Sequence, residues 1–137
     1  MQQRDFLMRQ IEQMAQAFAA LIRRLLGMKT ENTEKETELA TNELLKEQLN
    51  TSIKELLSIP IGEISEFIVK EKGLDESNLE VFADLLILNA KVKSNHTDQL
   101  KLYKIALEVY QWIDNKSRTF SMERQNKIRE IEEFLRK

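Results

Sequence analysis

An all-α fold is what this chain predicts, and three observations predict it. Three glycines and one proline in 137 residues are too few breaks for a protein of strands and tight turns. Apolar residues recur at steps of three and four over long stretches, which is the period of a helix face. Cap-forming residues separate those stretches: Ser77, the SNHT turn at 94–97, and Ser121. The reading is about six helices folded as antiparallel helical hairpins, with a long amphipathic helix at the N-terminal end.

The first helix covers roughly residues 3–27, where Leu7, Ile11, Met14, Phe18, Leu21 and Leu25 form a stripe. Met8, Ala15 and Ile22 widen it, and Gly27 is the expected stop. Residues 29–35, KTENTEK, are polar and aperiodic and read as a hinge. A second helix is expected over 34–57, with Leu39, Leu45, Leu49, Ile53 and Leu56 inward. Pro60 is expected to open a third helix over 60–72, since its missing N–H costs nothing at a first helical position. Ile61, Ile64, Phe67 and Ile68 would face inward there, and Gly73 would end it.

Ser77 and Glu80 have capping-box spacing and predict the start of a fourth helix, 78–93. That helix is apolar nearly all round and belongs between other helices. A fifth, 98–114, carries Leu100, Tyr103, Leu107 and Tyr110 on one row and Leu102, Ala106, Val109 and Ile113 on the next. The short turn between them makes an antiparallel hairpin, the expected centre of the fold. A sixth helix, 122–136, starts at Ser121 and shows only a narrow apolar stripe, so it is expected at the periphery.

The domain reading is therefore an amphipathic helix over 1–28, a candidate oligomerisation arm; a polar hinge over 29–35; and a helical bundle over 36–137. An exposed stripe of this length must be covered by something. Docking on its own bundle and pairing with another chain stand level. Lying on a membrane surface ranks third, because Glu12 and four glutamines dilute the polar face and the net charge of residues 1–29 is only +3. Residues 30–50 carry a net −4, so the two segments attract.

Composition excludes several classes. At 42% hydrophobic and 32% charged residues the chain is too apolar for disorder. A formal net charge of −2 lacks the basic excess that phosphate backbones select, so no nucleic-acid partner is expected. No run approaches the ~20 apolar residues of a membrane span. The absence of cysteine removes disulfides, thiolate metal sites and cysteine nucleophiles together. His96, the single histidine, sits in a polar turn, and a ligand or general base needs fixed partners that one turn residue lacks. The glutamates fall on polar faces, and no phosphate-binding glycine loop occurs. Expected catalytic, cofactor-binding and metal residues are accordingly none, and no cofactor is expected. Trp112, Tyr103 and Tyr110 read as packing residues at helical spacing. Asn89 stands out as a polar residue in an apolar helix. It either lines a groove for a peptide or makes a structural hydrogen bond.

The fragment ALEVYQWI, with Ala106, Tyr110 and Ile113 at small–aromatic–apolar spacing, resembles the second helix of a tetratricopeptide unit. The proline that commonly follows that unit is absent, and Arg118 lies near its place. Over more of the chain, RDFLMRQIEQMAQAFAALI, IPIGEISEFI, NLEVFADLLILNAKV and SRTFSMERQNKI together resemble a family of small uncharacterised bacterial all-helical proteins, sometimes described as tetratricopeptide-like. The resemblance spans most of residues 4–128. It implies a fold class and a bacterial, cytoplasmic setting, and nothing chemical.

The function expected from all this is a non-catalytic protein–protein interaction or scaffold module. Its partner would be another protein or a second copy, making a homo-oligomer through the N-terminal helix. Leu7, Ile11, Met14, Phe18, Leu21 and Leu25 are the candidate self-association face, and Asn89 the candidate polar position of a groove. The alternatives are a peripheral membrane-associated helical protein, and a small-ligand binder or enzyme with an unrecognised pocket.

Overall fold

A computed structural model describes residues 2–28 and 33–137. The fold is all-α, and among the described residues there is no strand. In chain order the elements are α1 (Gln2–Leu26), α2 (Thr33–Leu49), α3 (Ile53–Ser58) and α4 (Ile64–Glu66), which runs on into a π-helical turn at Phe67–Glu71. A 3₁₀ turn at Glu76–Asn78 then leads into α5 (Leu79–Val92), α6 (His96–Ser117) and α7 (Met122–Arg136).

α5 and α6 are the centre, as their two-sided apolar pattern predicts. They share the most extensive helix–helix interface of the molecule, and α1 and α2 pack on α5 while α4 and α7 pack on α6. Phe82, Leu85 and Leu86 of α5 and Leu102, Ile105 and Val109 of α6 are wholly buried. Ala83 and Ala90 of α5 and Ala106 of α6 are also wholly buried. Asn95 begins α6 by accepting the Asp98 N–H at 2.9 Å, and Ser121 begins α7 by accepting the Arg124 N–H at 3.2 Å.

The expected single helix over 34–57 is two helices. Asn50 adopts a left-handed φ of 51°, which Asn tolerates better than most residues, and the Thr51 N–H turns back to the Leu45 carbonyl at 3.3 Å. Ser52 then caps α3 through the Glu55 N–H. Leu45, Leu49, Ile53 and Leu56 are buried as expected, but the N-terminal part of the α2 face differs. Leu39 is 55% exposed, whereas Thr37, Ala40 and Thr41 are buried. Small residues let α2 lie close to α5, and Thr41 finds a partner there in Asn89.

Pro60 does not start a helix. It opens a turn closed by the Glu63 N–H on the Pro60 carbonyl at 3.1 Å, and Ile61 is 44% exposed rather than inward. The cause is Glu108 of α6. Its carboxylate accepts the Gly62 N–H at 2.6 Å, the Ser65 N–H at 2.7 Å and the Ser65 hydroxyl at 2.8 Å. The Ser65 amide is one that a helix start leaves without an intrahelical partner, and α6 supplies its acceptor. Gly73 ends the segment at φ +77°, as expected.

The Ser77–Glu80 capping box does not form. Asp75 caps the 3₁₀ turn ahead of α5, its Oδ2 accepting the Ser77 N–H at 3.0 Å and the Ser77 hydroxyl at 2.5 Å. Glu80 is instead engaged by Arg124 of α7 at 2.9 Å. Arg124 also reaches Asp114 at 2.5 Å and the Thr119 carbonyl at 2.6 Å. Burial works against the Arg124 charge, but the two carboxylates outweigh it and hold its pKa above the ordinary value. This network clamps α7, the expected peripheral helix, onto α5 and α6.

Candidate interaction surface

The two halves of α1 meet different surroundings. In the second half Phe18 and Leu21 are buried in the core, Phe18 meeting Phe82 edge-on with ring centroids 6.4 Å apart. Met14, Ile22 and Leu25 pack partly against the same core. In the first half every residue from Gln3 to Arg9 and on to Gln10 is exposed, with Phe6, Leu7 and Met8 at 58%, 55% and 54%. A helix rises 1.5 Å per residue, so those eight residues leave roughly 12 Å of helix uncovered by the bundle.

Asn78 marks where coverage begins. Its side-chain amide donates to the Ile11 carbonyl at 3.1 Å and ties α1 to the 3₁₀ turn. Beside that tie lies an open groove of about 310 Å³, with Leu7, Ile11 and Met14 on one wall and Gly73, Asp75 and Asn78 on the other. After Gly73, at a positive φ of 77°, the chain passes alongside α1, where Gly73, Asp75 and Asn78 face Leu7, Ile11 and Met14 across the groove. Among the residues that line the groove the charged one is Asp75, an exposed carboxylate. The uncovered segment, residues 3–10, holds Arg4 and Arg9 against Asp5.

Of the six stripe residues proposed for self-association, the structure therefore places Phe18 and Leu21 inside the chain's own core. Leu25, Met14 and Ile11 are half-buried, and Leu7 is free. Gly27 follows α1, as expected, while most of the hinge, residues 29–32, lies outside the described residues; α2 already begins at Thr33. Nothing in the sequence pattern marked residues 73–78 as the second wall. That wall depends on a left-handed glycine and on a long-range bond from Asn78, and neither has a periodic signature.

Asn89 lies inside the fold rather than at a groove among the described residues. It is 3% exposed, and its amide donates to the Thr41 hydroxyl at 2.8 Å and to the Leu85 carbonyl at 3.0 Å. It is a structural tie between α5 and α2. His96 is exposed in the first turn of α6. Trp112 is half-buried, with the Lys116 ammonium 5.5 Å from its ring centre. Among the described residues, no three His, Asp or Glu side chains stand together so as to hold a metal ion, and no helix is long and apolar enough to cross a membrane.

One buried polar group has a pH consequence. The Tyr110 hydroxyl donates to the Asp84 carboxylate, which also takes Lys127 at 2.8 Å. Burial, and then the adjacent Asp84 charge, push the Tyr110 pKa well up. An ordinary tyrosine ionises near pH ~10. Because the folded value lies higher, the neutral phenol stabilises the fold fully below about pH 10, and that stability is lost as pH rises beyond it. Urea unfolding at about pH 9 and about pH 11 is expected to show a loss of stability that Tyr110→Phe reduces. An unchanged slope in the variant would place the alkaline sensitivity elsewhere, with Tyr103 the next group raised by burial.

No family model matches the chain, and neither a curated protein nor a solved structure matches it.

Proposed function

We propose that the chain is a non-catalytic protein–protein interaction module that pairs with a second copy of itself through the first turns of α1. The observation that carries this reading is the uncovered segment 3–10, with three large apolar side chains more than half exposed. Charge supports a second copy as the occupant: the segment is net positive and the groove carries the Asp75 carboxylate, so each copy can set a cation against the other's carboxylate. The tetratricopeptide-like character of α5–α6 belongs to the same proposal, and the buried alanines of that hairpin support it.

The association is expected to be modest. Each large apolar side chain covered contributes roughly 1.5–3 kcal/mol. Lost translational and rotational freedom costs roughly 4–15 kcal/mol. Light scattering across a wide concentration range is the measurement. The full chain is expected to dimerise with increasing concentration, and Leu7→Glu to stay monomeric with unchanged helicity, since Leu7 is 55% exposed and lies outside its own core. A chain monomeric at every concentration overturns the reading. Sedimentation with anionic vesicles, abolished by Leu7→Glu, would overturn it in favour of a membrane surface.

A further inference from the structure

We infer that the pairing is antiparallel and reciprocal, with Leu7 of each copy entering the groove of the other and packing on the second copy's Ile11. This rests on the pairing proposed above and adds its geometry. Arg4, Leu7, Ile11 and Met14 share one face of α1 at steps of three, four and three. That spacing reads the same in both directions. Two antiparallel copies turned about a two-fold axis level with residue 9 therefore set Leu7 opposite Ile11 and Arg4 opposite Met14, twice over, as a closed isologous contact requires.

The ends of this register agree with the charges. Met14 lines the groove together with Asp75. A helix that places Arg4 opposite the second copy's Met14 brings its guanidinium to that copy's Asp75, a carboxylate whose Oδ2 serves Ser77 and which stands exposed at the rim. A parallel pairing would set Arg4 against Arg4 and leave both Asp75 carboxylates without a cation. The groove's α1 wall runs from half-buried Ile11 and Met14 out to exposed Leu7, so an arriving side chain meets it from the uncovered end of the helix.

The chain has no cysteine of its own, so introduced thiols report register directly. An equimolar mixture of the Leu7→Cys chain and the Ile11→Cys chain, oxidised gently, is expected to give the mixed disulfide in preference to either symmetric one. Arg4→Glu is expected to raise the dimer dissociation constant on the order of tenfold, and adding Asp75→Asn, which keeps an oxygen for the Ser77 cap, to recover part of that loss. Circular dichroism of each variant checks that the helices persist. Predominance of the symmetric Leu7→Cys disulfide would mean parallel pairing and would overturn the inference. So would a dimer abolished by Leu7→Glu yet indifferent to Arg4→Glu, although the proposed function would then stand. A chain monomeric throughout removes both.

Discussion

Phe18→Ala is expected to cost about 3–5 kcal/mol, a large share of the stability of a domain this size. The ring is wholly buried and meets Phe82 of the central helix edge-on, so truncation removes its burial, its aromatic contact and the filling of the space between α1 and α5. The value separates the two readings of the N-terminal helix that the sequence leaves level. If α1 were an arm held off the bundle, Phe18 would be free in the monomer and its loss would matter only on association. Urea unfolding at a concentration where the chain is monomeric decides the matter. A loss below about 0.5 kcal/mol would mean that α1 does not dock on its own core. The same burial explains why removing α1 altogether is a poor test of association: it strips Phe18 and Leu21 from the core together, and the remainder is expected to unfold. Point substitution at exposed Leu7 avoids that difficulty.

What the sequence made legible was what periodicity records. The helices at 3–27, 98–114 and 122–136, the central hairpin, and the caps at Asn95 and Ser121 all follow from residue spacing and from local hydrogen bonds. What it hid depends on partners distant in the chain. Glu108 lies 43 positions from Ser65, and its carboxylate, not Pro60, decides where α4 starts. Arg124 draws Glu80 away from the cap that local spacing assigned to it, and Asp75 caps the 3₁₀ turn that precedes α5 instead. The break at Asn50 looked like uninterrupted helix because one left-handed residue leaves the apolar spacing on either side almost intact. The stripe on α1 was visible at once, but its division into a docked half and an uncovered half was not. That division is set by where residues 73–78 stop covering the helix, and the stripe itself carries no mark of it.

The location of the centre can be tested independently of α1. Leu86→Ala is expected to cost about 2–5 kcal/mol, because Leu86 is wholly buried in α5, the helix on which α1, α2 and α6 all pack. With packed helices on several sides, the site has little room to collapse, and a retained cavity adds to the lost burial. Two companion substitutions give the number its meaning. Leu86→Met conserves volume and is expected to cost less than about 1.5 kcal/mol. Leu39→Ala removes a leucine that a simple apolar-face reading of α2 would also place inside, yet it stands exposed and should change stability by no more than about 0.5 kcal/mol. Denaturant midpoints for the three, read with a common slope, rank the positions. Equal losses at Leu39 and Leu86 would mean that the first turns of α2 are rotated to bring Leu39 inward. They would then not present Thr37, Ala40 and Thr41 to α5, and the hydrogen bond between Thr41 and Asn89 would not form.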